Sequence, residues 1–503
     1  MMKKLNDNAL FLSCWYERSR PVNIICLGAL YAGLIILSYF TSMNVPARDM
    51  NALQVFLIVC EVAQAGVLLL AGTLFVFSLS SRERQCGTLD FHRNSPEAVK
   101  DKIVGLVFGA AWFEWLIFGG LFLLEVVLAP LTEIGVWRVM LYNLSLVLTA
   151  LLFHSAAVLI SLLTTRQNHR NSPLVMVGLF FFVMPLFGMV TSFTAGTGFY
   201  HILGLGAASY ALPPGQHWGS QGWFFGLNLP LIILQAVLQV PLIVFIVRAL
   251  FRTFCQPNSP AWSKDDILRI CFFLLTVVTG LCVGAYFDPQ AASGILNSHY
   301  RSDNGRAGIL FGLASLHSTV YVFLGIAAAF FLSPSYFQYR KYQDLSTKKL
   351  VARSAFNDGA SAFGPQMVYI MQGAAYYGFY LAATGTGWLN SLCLVFICAG
   401  YILGFTAFLE YYRLGEFRNN TAWFVTILAV WWGFLPWLGF IISKGDQYVN
   451  FLTMLGPLTG LALMQYFVAH QAVPYLPALC APLVTAGILW ALVFAREENR
   501  NPA

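Results

Sequence analysis

The feature that most limits how this chain folds is its recurrence of apolar runs long enough to cross a lipid bilayer. A spanning helix needs about 20 mostly apolar residues, each rising about 1.5 Å. Stretches that meet this test lie near 23–43, 53–80, 103–129, 139–164, 173–195, 223–247, 270–287 and 308–332, then near 366–385, 390–409, 422–443, 451–469 and 474–495. The last two are separated only by the turn from His470 to Pro474. The runs are continuous rather than alternating, which argues for helices and against a β-barrel. Only 10% of the residues are charged and 58% are hydrophobic, whereas an average soluble domain carries about 25% charged residues. The expected fold is therefore all-α, a polytopic membrane bundle of about 12 (12–13) spans. No polar stretch is large enough to hold an enzyme domain, so the chain reads as a non-enzyme.

Charge supplies an orientation. With the N-terminus in the cytoplasm, 22 of the 29 Lys and Arg residues fall on inner segments. The outer segments hold five, namely Arg48, Arg138, Arg301, Arg306 and Lys444, and Arg496 and Arg500 lie in the tail. Short loops biased this way follow the positive-inside rule. Topology thus accounts for the net charge of +7 without a nucleic-acid partner. Thirteen spans would put the tail outside and twelve would keep it inside, and the sequence leaves both open.

The ten cysteines are scattered without a C-x-x-C pair, so neither a disulfide framework nor a zinc site is expected. Residues 1–22 read as a short amphipathic helix in the inner interface, ended by Pro21. The run Gln256, Pro257, Asn258, Ser259, Pro260 is the best internal boundary and divides the chain into membrane domains 1–262 and 263–503.

The most informative stretch is SRERQCGTLDFHRNSPEAVKDKIVGLVFGA, residues 81–110. Arg82, Glu83, Arg84, Asp90, His92 and Arg93 make it polar, and Leu89 and Phe91 supply apolar contacts. Gly87 and Thr88 predict a turn and a helix cap. Ser95–Pro96 predicts a second cap, with Pro at the first helical position. The pattern is that of a short helix held at one face of the bundle, followed by a helix that enters the membrane.

This stretch resembles the coupling segment of type-2 ATP-binding-cassette (ABC) exporter permeases, in the long bacterial form with a GTLDFHR-type sequence. The positions that match are Glu83, Arg84, Gly87, Thr88, Leu89, Asp90, Ser95, Pro96 and Gly105. Gln85–Cys86 departs from a charged pair common in that family, and Lys102-Ile-Val-Gly105 departs from its usual Gly-Lys. The N-terminal NDNALFLSCWYERSR is similar to the family's elbow helix. The loop 196–222 falls where the family folds re-entrant outer helices, and Arg248-Ala-Leu-Phe-Arg252 is similar to its basic end of span six. The likeness covers about residues 1–262.

The resemblance implies a multi-pass protein of the bacterial cytoplasmic membrane that couples through Arg82, Glu83, Arg84, Gly87, Thr88, Leu89, Asp90, Phe91, Arg93, Ser95 and Pro96 to a separate ATPase. No G-x-x-x-x-G-K-[ST] phosphate loop occurs in the chain. ATP and magnesium would therefore sit on a cytoplasmic ABC ATPase partner, in two copies. Either a homodimer or a pseudo-dimer through the second half would complete such an assembly. The transported substrate is not legible.

Acidic side chains within apolar runs are costly in a bilayer. Glu61, Glu114 and Glu125 are of this kind, and Gln64 lies one turn from Glu61. They read either as a polar pathway or as interhelical hydrogen bonding. Glu410, near an inner end, admits the same two readings. His154, His317 and His470 have no partner at i+3 or i+4 and read as structural histidines. The loops 333–365 and 410–420 are basic, either degenerate docking elements or ordinary inner loops. Two other functions fit a chain of this kind: an ion-coupled secondary transporter using the buried carboxylates, and a membrane enzyme acting on lipid-linked substrates.

Overall fold

A computed structural model describes residues 52–132, 135–163, 221–225, 227–256, 260–287, 305–334, 336–347, 356–384, 388–414, 426–427, 430–431 and 476–500. The readings for 1–22, 196–220, the spans near 23–43, 173–195 and 451–469, most of 422–443, and His470 lie outside these residues. The described chain is almost entirely helical and forms two compact units. One comprises Met1–Gly222 with Asn228–Ala261, the other Trp223–Leu227 with Trp262–Ala503.

Six described helices are long and apolar enough to cross a membrane: Leu53–Gln85, Trp112–Leu131, Val136–Leu163, Ile232–Cys255, Lys264–Gly284 and Val395–Arg413. Their apolar length makes a helical membrane bundle the natural arrangement, since a helix satisfies its own backbone polar groups.

In the first unit, α1 (Ala52–Ala65), a π-helical stretch Gly66–Gly72 and α2 (Thr73–Gln85) run on as one rod. After a turn come α3 (Thr88–Asn94) and α4 (Val99–Val104), then a second π-helical stretch Gly105–Gly109 that leads to α5 (Trp112–Leu128). A 3-10 turn Ala129–Leu131 leads on to α6 (Val136–Leu163). The predicted span near 223–247 begins later than its hydropathy suggests. Residues Gln221–Phe224 and Leu227–Pro230 pair as a two-stranded hairpin, and α7 (Leu231–Cys255) starts only after Pro230. Apolar Trp, Phe and Leu suit either structure, and Pro230, extended at the end of the second strand, caps the helix that begins at Leu231, although Pro241 is accommodated within it.

Helix α1 and the π-helical stretch after it pack on α5 through Cys60, Val67, Ile117 and Leu121, and Leu57, Ala129 and Val139 close the end beside α6. Helices α6 and α7 are joined by a buried polar ladder. Gln235 Nε2 donates to Ser145 O and to Thr149 Oγ1, each at 3.0 Å, and Gln239 Nε2 donates to Thr149 Oγ1 at 3.1 Å. Polar pairs spaced i, i+4 on both helices face each other, and in an apolar surrounding such bonds fix which faces meet.

The second unit contains α8 (Lys264–Phe287), α9 (Gly305–Leu332), α10 (Tyr336–Thr347), α11 (Phe363–Thr384), α12 (Trp388–Leu414) and α13 (Leu476–Arg500). Ser263 caps α8: its hydroxyl accepts from the Asp266 N–H at 3.1 Å, and Asp266 Oδ2 accepts the Ser263 N–H at 3.3 Å. That reciprocal pair forms a capping box, so the helix starts within a segment read from sequence as loop. Helix α13 lies on α12 through Ala407, Trp490 and Val493.

Candidate functional site

Residues 81–105 form a folded segment made of the end of α2, a turn, α3 and α4. Helix α2 ends as Cys86 N–H bonds Arg82 O at 2.9 Å. Gly87 then adopts φ +75°, a left-handed conformation that L side chains resist. Nothing lies within 4 Å of where a Gly87 side chain would begin, so the constraint is backbone strain alone. We expect Gly87→Ala to cost about 1 kcal/mol, measurable as a lower unfolding midpoint with the secondary structure retained.

The capping expectations need correction. The Thr88 hydroxyl donates backwards to Glu83 O at 2.9 Å and to the Glu83 carboxylate, and so does not accept from the N–H groups of α3. Ser95 closes α3 instead of opening the next helix. Its hydroxyl and its N–H both bond His92 O, at 2.8 and 3.2 Å. Pro96 is not the first helical residue, because α4 starts at Val99 behind an extended Ala98. A short helix just upstream competes for the same Ser, and its exposed C-terminal carbonyl wins.

Two cations tie this segment to the helices beside it, and a third braces it from within. Arg84 donates to Ser161 O near the end of α6 at 3.1 Å. Arg93 forms an ion pair with Asp90 at 2.9 Å and reaches Thr253 O of α7 at 3.4 Å. Lys102, 1% exposed, donates to Ser95 O at 3.0 Å and to Arg93 O at 3.4 Å, and so holds the C-terminal end of α3. From the sequence, Lys102 stood out only as part of the departure Lys102-Ile-Val-Gly105, not as a structural brace. The signal that could have singled it out is its position 14 residues after Thr88, inside the apolar approach to α5.

Glu83 and His92 add a longer contact of 3.9 Å across the turn. Of the two apolar residues expected to reach a partner, Leu89 is 2% exposed and is anchored in its own bundle, whereas Phe91 is 73% exposed. Arg82, Asp90 and Pro96 are also exposed. Chemically, the segment is a pinned helix presenting one aromatic ring ringed by charge.

The four candidate pathway residues divide. Glu61 and Gln64 of α1, Glu125 of α5 and Asn143 of α6 converge in the first unit. Asn143 Nδ2 donates to Glu125 Oε2 at 2.9 Å, and Tyr142 donates to Glu61 O at 2.5 Å. Glu114 lies about three turns away on α5. It is near Gly72, where a side-chain carbon would stand 3.6 Å from Glu114 Cβ and 2.8 Å from His154 Nε2. His154 Nε2 donates to Leu68 O at 3.1 Å, on a carbonyl of the first π-helical stretch, and Trp115 packs edge-on against its ring. His317 likewise bonds Thr279 Oγ1 at 2.9 Å. Both imidazoles are structural.

Glu410 belongs to a helix cap. Its carboxylate accepts from the Ala362 N–H and from Ser361 Oγ at 2.9 Å, at the start of α11.

Comparison with protein-family models, with curated proteins and with solved structures returned no match.

Proposed function

We propose that this chain is the membrane subunit of a type-2 ABC exporter and that α3 is where a separate cytoplasmic ATPase docks. The observation that carries this reading is the contrast within one short helix. Leu89 is buried and Phe91 is 73% exposed, on a helix tied to α7 through Arg93 and to α4 through Lys102, just after Arg84 ties the end of α2 to α6. A loop that only marks topology has no need of so many fixed points. Large aromatic side chains at interface centres are the usual anchors of binding.

The mechanism follows from the ties. Nucleotide-driven closure of two ATPase subunits, each holding its own ATP and magnesium, would displace α3 as a solid piece. Lys102 and Arg93 pass that displacement to α4 and α7, and Arg84 passes it to α6. Such work requires the ATPase to contact α3 differently in its two states. In the full assembly the chain carries about 12 spans in a bacterial cytoplasmic membrane, N-terminus inside, with a pseudo-dimer or a homodimer supplying the second docking position.

The reading is tested by capture. The tagged permease should co-purify a cytoplasmic ABC ATPase from its native cells, and Phe91→Ala should weaken that capture by about 30-fold or more, the equivalent of a 2 kcal/mol anchor. Equal capture by both proteins would remove α3 as the dock. Separately, a single cysteine at Arg82 or Asn94 should react with a membrane-impermeant maleimide only from the cytoplasmic side.

A further inference from the structure

We propose that Glu61, Gln64, Glu125 and Asn143 form a binding site for one small monovalent cation inside the first unit, independent of the docking helix. All four side chains are essentially sealed from solvent, with Glu61 at 1% and Asn143 at 4% exposure. They come from three different helices and interact with one another. The Glu61 and Glu125 carboxyls act on each other electrostatically, and the Gln64 amide lies against the Glu125 carboxyl. Asn143 Nδ2 donates to Glu125 Oε2 at 2.9 Å.

The unmet atoms are nearly all acceptors. Glu61 Oε1 and Oε2, Gln64 Oε1, Glu125 Oε1 and Asn143 Oδ1 have no partner, whereas the sole open donor is Gln64 Nε2. Folded proteins leave few buried polar atoms unpaired, and a concentration of them calls for a bound group. A proton on one carboxyl could donate to only one further oxygen. A metal cation can satisfy several oxygens at once. The available donors are carboxylate and amide oxygens, which suit a hard cation rather than a transition metal. Among the described residues no group of three or more His, Cys, Asp or Glu forms a metal cluster. Calcium usually takes about 6–8 oxygens, more than the five open oxygens here, so a cation that takes fewer ligands fits better.

Placement supports a role in transport. Glu125 sits three residues before the end of α5 at Leu128, at the end of the bundle opposite α3. A cation there would bring α1, α5 and α6 together around itself. Occupancy would therefore favour one packing of these helices over another.

The test uses the purified full chain in lipid nanodiscs, without any ATPase, so its outcome is separate from the docking reading. Sodium chloride is titrated against choline chloride at constant ionic strength, and the thermal unfolding midpoint and equilibrium ²²Na⁺ binding are both recorded. The wild-type protein should bind sodium saturably and gain stability in step. Glu61→Gln and Glu125→Gln should each weaken binding at least about tenfold, and Asn143→Leu, which frees the Glu125 carboxylate, by about 10–100-fold. No saturable sodium binding by the wild type would overturn the proposal. So would unaltered affinity in both carboxylate variants, or tighter saturable binding of calcium than of sodium. Should a variant not purify, the two wild-type isotherms still decide.

Discussion

Replacing Lys102 by Met should lower stability by about 2–3 kcal/mol and release α3 from its platform. The side chain is buried, and its ammonium group is the donor to Ser95 O and Arg93 O. Methionine fills much the same volume but donates nothing, so two carbonyls at a helix end lose a charge-assisted bond. The penalty falls locally, on residues 88–98, because α2 ends independently through its own backbone bonds. Limited proteolysis should then cut between Thr88 and Ala98 in Lys102→Met but not in the wild type. Protection equal to wild type would mean that Arg84 and Arg93 hold the element unaided.

The second large effect belongs to the other unit. Glu410 is fully buried and receives the Ala362 N–H and Ser361 Oγ at the start of α11. Around it, Lys264 donates to Ala360 O and to Ser361 O at 3.2 Å, and Arg413 donates to Ser333 O at 2.5 Å and Phe330 O at 3.0 Å. Helices α8, α9, α11 and α12 thus meet at one charged knot. Glu410→Ala removes a buried anion that faces both Lys264 and Arg413 and orphans a buried N–H, a loss of about 3–5 kcal/mol. Glu410→Gln keeps an acceptor oxygen for the N–H and should lose less. Unfolding in detergent, followed by tryptophan fluorescence, ranks the three proteins. If Glu410→Ala proved as stable as the wild type, the cap would be incidental.

How much of this was readable beforehand depends on the kind of interaction. Spans whose identity rests on apolar length alone, such as 53–80 and 139–164, match the described helices Leu53–Gln85 and Val136–Leu163 to within a few residues. Boundaries set by a local contest went astray. Ser95 and Pro96 carry the composition of a helix start, yet the α3 carbonyl at His92 takes the Ser95 hydroxyl. Near 223, hydropathy could not separate an apolar hairpin from an apolar helix.

For the sites, a single helix shows its own pairs, so Glu61 with Gln64 was visible as i, i+3. Glu125 and Asn143 join them only through tertiary packing, and no spacing in one segment encodes that. The same holds for Leu89 and Phe91. Both are apolar and two residues apart, and only the fold tells the buried anchor from the exposed ring. The ladder of Ser145, Thr149, Gln235 and Gln239 could have been found, because two i, i+4 polar pairs stand within otherwise apolar helices.

The measurement that bears most directly on the central claim is ATP turnover by the reconstituted permease–ATPase assembly in Phe91→Ala and Asp90→Arg. Phe91 is the exposed ring of α3, and Asp90 pairs with Arg93 beside it. Phe91→Ala touches no buried contact and should alter stability by no more than about 0.5 kcal/mol, and Asp90→Arg removes one partly exposed ion pair, worth about 0–1 kcal/mol. The account predicts that both proteins insert and fold normally while the permease no longer alters the ATPase rate. Wild-type coupling in both variants would contradict it.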